Sequence, residues 1–139
     1  MRLDGIAARI ANEVPALRKV GVFVDLATAG DGMIQTPAAY VLPEAEDATA
    51  NAIIGGVAQQ VTVSFAVLYA VRNVSDAAGE AALDDLETVR AGVMAALLGW
   101  DCGTGIPIEY GGGAVTDVDP NRVLWWQDRF ITGTYVRSV

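Results

Sequence analysis

A chain of 139 residues is the length of one domain, and residues 1–139 are expected to form a single unit. Hydrophobic residues make up 53%, but none of the apolar runs reaches the roughly 18 positions of a membrane-spanning helix, and Arg2, Asp4 and Arg9 make the start too polar for a secretory leader. Seventeen acids against nine bases give a net charge of -8, which argues against affinity for nucleic acid, and the absence of histidine removes the commonest general base and metal ligand. The single cysteine, Cys102, rules out a disulfide framework and a multi-thiolate metal site. The protein is expected in the cytosol unless it is built into something larger, with no membrane partner and no cofactor.

Residues 3–14 read as a helix, because Ile6, Ala7, Ile10 and Val14 recur at helical spacing before Pro15. Residues 19–26, KVGVFVDL, alternate as a strand with Val20, Val22, Val24 and Leu26 on one face. Residues 27–36, with Gly30-Asp31-Gly32, read as a loop or wide turn. Residues 38–43 read as a short strand stopped by Pro43. The acids Glu44, Glu46 and Asp47, followed by small residues and Gly55-Gly56, make 44–56 a mobile loop in this reading.

Residues 59–72 carry the cleanest period-two pattern: Val61, Val63, Phe65, Val67, Tyr69 and Val71 form a core face, with small and polar residues opposite. Asn73, Ser75 and Asp76 are helix-start residues, and the helix runs to about Leu98 before Gly99. Its stripe of Leu83, Leu86, Arg90, Val93 and Leu97 is apolar except at Arg90. Residues 106–110 and 113–119 read as strands around a turn at Gly111–Gly113. Residues 122–137 read as a long strand or a hairpin pair that could bend at Gly133. The predicted fold is α+β, with two helices on one face of a mostly antiparallel sheet.

Few residues point to chemistry. Lys19, the only lysine, opens a strand and reads as an edge residue rather than a catalytic amine. The glycine run lacks the Lys-Ser/Thr ending of a phosphate loop. Asp117 and Asp119, with Asp101 or Glu109, match no metal-loop spacing, and a solvated pair or a cap on the Pro120-Asn121 turn is the favoured reading. No catalytic residue and no metal ligand is assigned. The stretch 125–130, WWQDRF, is more telling. On a strand, Trp126 and Phe130 share a face broken by Asp128, while Trp125 and Arg129 share the other. One face can go to a core; the other leaves a tryptophan and an arginine, the residues most enriched at binding hot spots, facing outward. A helix or loop covering both faces is the competing reading. Eight of the nine bases are arginine, which also favours interfaces.

The segments 59–73, QQVTVSFAVLYAVRN, 75–100, SDAAGEAALDDLETVRAGVMAALLGW, 106–119, IPIEYGGGAVTDVD, and 125–137, WWQDRFITGTYVR, taken in this order, resemble the tail-terminator proteins of long-tailed phages. The resemblance spans about two-thirds of the chain and rests on pattern and order rather than on one short motif. It implies a non-enzymatic ring, usually a hexamer, that caps the tail tube and offers a joining surface to the neck or head-completion protein. It also implies that DNA passes through the bore without specific binding. The free subunit is monomeric or already assembled. Under this reading Trp125, Trp126, Arg129, Tyr135, Gln60 and Thr62 are candidates for a subunit or tube interface, and Glu44, Glu46 and Asp47 for an acidic loop at the bore. The alternatives are a head–neck adaptor or tail-tube protein and, from another class, a small-molecule-binding module or an enzyme working through carboxylates.

Overall fold

The computed structural model describes residues 2–29, 35–72, 80–120 and 122–138. Its elements are α1 (Leu3–Glu13), β1 (Lys19–Val22), α2 (Phe23–Ala29), β2 (Ala38–Ala48), β3 (Val57–Arg72), α3 (Glu80–Leu97), β4 (Glu109–Val118) and β5 (Val123–Ser138). The five strands form one sheet in the order β1-β2-β3-β5-β4. Only β1–β2 is parallel; every other pairing is antiparallel. The fold is α+β, as the periodicities predict.

Helix α1 buries Ile6, Ala7 and Ile10, which lie on one face of a 3.6-residue repeat. Full burial of each isoleucine contributes about 1.5–3 kcal/mol. The helix stops at Glu13, where the Val14 N–H still reaches the Ile10 carbonyl (2.9 Å) and Pro15 has no N–H to extend the ladder. Helix α3 lies on the same face of the sheet and buries Ala82, Leu86, Val89, Val93, Ala96 and Leu97. Its stripe is therefore rotated from the predicted one: Leu83 is half exposed and Arg90 flanks the core instead of interrupting it. Arg9 ties the two helices together, donating to the Ala96 carbonyl (2.6 Å) with its guanidinium over the Trp100 ring (4.5 Å). A cation there suits the negative end of α3. Gly99, at φ +79°, ends that helix. The expected start at Asn73, Ser75 and Asp76 lies outside the described residues.

The alternation of β3 is realised as predicted. Phe65, Val67, Tyr69 and Val71 join α1 and α3 in the main core with Ala39, Val41 and Phe130. The opposite face carries a smaller cluster of Ala38, Tyr40, Ala70 and Val123, against which Leu26 and Trp125 pack. Leu26 comes from a helix where the sequence reads as a strand. Residues 19–26 are not one strand: the chain leaves β1 after Val22 and turns into α2. The physical reason is Asp25, the third residue of the helix, whose carboxylate reaches back to the Val22 N–H (2.8 Å) and satisfies a donor at the helix start. Gly21 makes room for this, since a Cβ there would stand 2.7 Å from that carboxylate. Alternating valines look the same in either state. Part of the predicted loop at 27–36 belongs to the same helix, and residues 30–34 lie outside the described residues.

The second correction concerns 44–56. Pro43 does not stop β2. The strand shifts register between Pro43 and Ala45 and continues to Ala48 opposite Val61. Proline is tolerated because β1 ends opposite Val41, so no outer neighbour asks for the missing N–H. Glu44, Glu46 and Asp47 thus sit on an exposed strand and not in a loop. The turn beyond is bonded through Asn51, whose amide donates to the carbonyls of Ile53 (3.0 Å) and Gly56 (2.8 Å) and accepts from the Ala58 N–H (2.9 Å).

The third correction concerns the glycine run. Gly111–Gly113 lie within one strand, β4, and not in a turn between two. A register shift falls between Tyr110 and Gly112, and Gly112 has φ +112°, a conformation that favours glycine. Strand β5 is a single strand of 16 residues and not a hairpin pair. No helix among the described residues is long and apolar enough to cross a membrane.

Candidate functional site

The two breaks noticed in otherwise apolar patterns, Arg90 in α3 and Asp128 in β5, are partners. Arg90 grips Asp128 with two hydrogen bonds, Nε to Oδ2 and Nη2 to Oδ1, both 2.9 Å. Asp128 is fully buried, and its Oδ1 also accepts from the Tyr110 hydroxyl (3.1 Å) and the Trp126 indole N–H (2.8 Å). The Arg90 guanidinium lies 4.6 Å from the centre of the Trp126 ring. A buried charge is tolerated only when paired and hydrogen-bonded, and this one has both. The group pins α3, β4 and β5 together.

Gly113 completes the enclosure. A Cβ at that position would collide with Asp128 Oδ1 and stand 2.7 Å from the Tyr110 hydroxyl and 2.9 Å from the Trp126 indole nitrogen. Gly113→Ala is therefore expected to destabilise the subunit by about 1–3 kcal/mol, the range for overpacking a filled site. Urea titration checks this against Gly55→Ala, whose Cβ would meet nothing and whose cost would come from its φ of +83° alone.

The Tyr69 hydroxyl is enclosed beside the same carboxylate without a well-formed hydrogen bond. Burial, and then the negative charge of Asp128, push this phenol well above its ordinary value of 10.0. The folded state thus binds the phenolic proton more tightly than the unfolded state. Its contribution to stability is full below about pH 10 and is lost as pH rises from there toward the folded value. We expect an alkaline unfolding transition above about pH 10 that weakens in Tyr69→Phe, followed by circular dichroism.

The predicted interface residues divide between the two faces of the sheet. Trp126 lies on the helix face, packed on the main core. Trp125 lies on the other face against the smaller cluster, and its indole N–H reaches Asp119 (3.4 Å). Arg129 shares the face of Trp125 and pairs with Glu44 at 2.8 Å, so an interface candidate meets one of the acids. Gln60 and Tyr135 are register partners, as are Thr62 and Asp47, and all four point to that same face. Gln60, Thr62, Asp47 and Tyr135 are exposed. Glu46, opposite Val63, points to the helix side.

Glu46, Asp47, Gln60, Thr62 and Tyr135 lie on a three-stranded arm, the continuation of β2, β3 and β5 past the ends of β1 and β4, whereas Trp125, Trp126 and Arg129 lie opposite β4 in the body of the sheet. At the tip of the arm Ile53 and Ile54 are exposed, Ile54 completely. The sequence carries no period there that would single them out. Among the remaining acids, Asp119 accepts from the Val123 N–H (3.2 Å), which is the turn-capping role. Asp101 accepts from Gly103 (2.9 Å) and Gly105 (3.0 Å), bonds that hold its carboxyl below the ordinary carboxylate value. Among the described residues, no group of three or more acids and thiols is placed to hold a metal ion.

The family model for phage tail terminator proteins matches residues 2–138. The chain belongs to that family. It is thus a structural protein of a phage-type tail. No curated protein matches the chain. Among solved structures it is similar to a chain in the virion of a native gene transfer agent (GTA) particle. Identity is 16%, the match covers 94% of this chain and 84% of the other, and the TM-score is 0.47.

Proposed function

We propose that this tail terminator forms a ring, as a homohexamer, that caps the tail tube, ends tube polymerisation and offers its other side to the neck or head-completion protein. It assembles in the host cytoplasm and resides in the virion tail. It works by binding, with no reaction of its own, and the chain acts as one unit. The observation that carries this reading is the family match across residues 2–138. The exposed arm supports it, since an arm bearing Tyr135, Ile53 and Ile54 at its surface is suited to burial against neighbours. The mass of the particle at high concentration and in the presence of cognate tubes tests the ring. A closed oligomer in either setting is expected, and a monomer in both would overturn the reading.

DNA is expected to pass the assembled ring without being gripped. Duplex binding depends on several phosphate contacts from lysine or arginine. Of the nine bases here, Arg90 and Arg129 are occupied by Asp128 and Glu44. A mobility-shift assay of the assembled particle at physiological salt should leave duplex DNA unretarded; retardation would contradict the expectation.

A further inference from the structure

At the end of the sheet away from the arm, the close of β3 meets the start of β2, the segment before β1 and helix α3. Between them lies a cleft of about 400 Å³. Arg72, the last residue of β3, lines it together with Arg18. Thr36, Thr88 and Asp85 supply the rest of its polar lining, and Val89 an apolar patch.

The Arg72 Nε is shut off from solvent and makes no hydrogen bond. Arg90 and Arg129 have acids of this chain to answer them, Asp128 and Glu44. Among the described residues neither Arg72 nor Arg18 forms an ion pair, although Asp85 lines the same cleft. An enclosed donor left without an acceptor costs about 1–3 kcal/mol, and more on a charged group. A guanidinium held in this way calls for an acceptor from outside the chain.

Charge and shape say which acceptor. Two guanidiniums against one carboxylate leave an excess of one positive charge around the cleft. That matches a single carboxylate better than a phosphate monoester, which carries about 1.5–2 negative charges near neutral pH. The planar fork of an arginine takes a carboxylate through two parallel hydrogen bonds. The threonine hydroxyls add donors from which its oxygens can accept. The volume lies within the range of small-molecule sites, about 300–1,000 Å³, so the cleft has room for a carboxylate and the carbons that carry it.

We propose that the cleft between Arg18 and Arg72 binds a single carboxylate, carried by a small molecule or by an acidic side chain of a neighbouring chain. The subunit is titrated with acetate against chloride at constant ionic strength, and the Arg72 Nε–H signal is followed by NMR. The signal should move saturably with acetate, and Arg18→Gln should weaken the binding about tenfold, the loss of one hydrogen bond to a charged group. Arg72→Met should melt no lower than the wild type in chloride, since it removes an unanswered charge, and should lose the rise in melting temperature that acetate gives the wild type. An Arg72 signal indifferent to acetate would overturn the site. So would a folded Arg72→Met variant that keeps the acetate response, or one that melts lower in chloride, which would make Arg72 a structural residue. The ring fraction, by native mass spectrometry at high concentration and by electron microscopy on cognate tubes, separates the two sources. Rings lost in Arg72→Met, and thinned by acetate in the wild type, assign the carboxylate to a neighbour's side chain; rings unchanged in both assign it to a free molecule. Only this last comparison rests on the ring reading above. A wild type that forms no ring would overturn that reading and leave the acetate titration to decide the site.

Discussion

Replacing Arg90 by alanine is expected to lower the stability of the subunit by about 3–5 kcal/mol, the cost of leaving a buried carboxylate without its counter-charge. Asp128 is fully enclosed, whereas the Arg90 side chain is 25% exposed. The two halves of the pair are therefore unequal. Asp128→Ala frees an arginine that can turn toward water, and it should cost less than Arg90→Ala even though it strands the Tyr110 and Trp126 donors. Arg90→Lys should recover little, because an ammonium cannot make both hydrogen bonds in one plane or lie flat over the Trp126 ring. Arg90→Met with Asp128→Leu should recover most of the loss, since an apolar pair needs no desolvated charges. Urea unfolding of these four variants checks the order. Equal losses for Arg90→Ala and Asp128→Ala would show that the buried charge is not what decides the cost.

Phe130→Ala is expected to cost about 3–5 kcal/mol, as large aromatic truncations in a core do. Phe130 is fully buried, stacks on Phe65 with ring centres 5.5 Å apart and receives the edge of Tyr110 at 5.9 Å. Its removal opens a cavity between β3 and β5 and also unseats Tyr110, a donor to Asp128. The Phe130→Ala and Arg90→Ala losses should therefore fall short of adding in the double variant, because both weaken the Tyr110–Asp128 bond. Additivity in a double-mutant cycle would mean that core and polar group are independent.

The parts of this fold that could be read from the sequence are those in which one physical term dominates. Burial on one face wrote the alternation of β3, and a helical repeat wrote α1. Where two terms compete, the sequence reads wrongly. Residues 19–26 alternate like a strand, but one carboxylate, Asp25, stabilises a helix start at Val22, and no pattern of apolar residues records it. Pro43 and the acids after it read as a stop and a loop, because nothing in the sequence says that the outer edge of β2 has no neighbour to disappoint. Arg90 and Asp128 were each visible as a fault in an apolar stripe. Their pairing spans 38 positions, and the rotation of α3 that joins them depends on packing against α1 and β3. WWQDRF divided its side chains as a strand must, but which face met the helices was set by Phe130 finding Phe65.

Tube growth in the presence of the purified protein tests the central claim most directly. Cognate tube protein is polymerised with and without the terminator, and lengths are measured by electron microscopy over time. The account predicts that growth stops once the terminator is added and that one ring sits at one end of each arrested tube. Tubes that keep lengthening at the same rate, with the protein unbound or scattered along their sides, would contradict it.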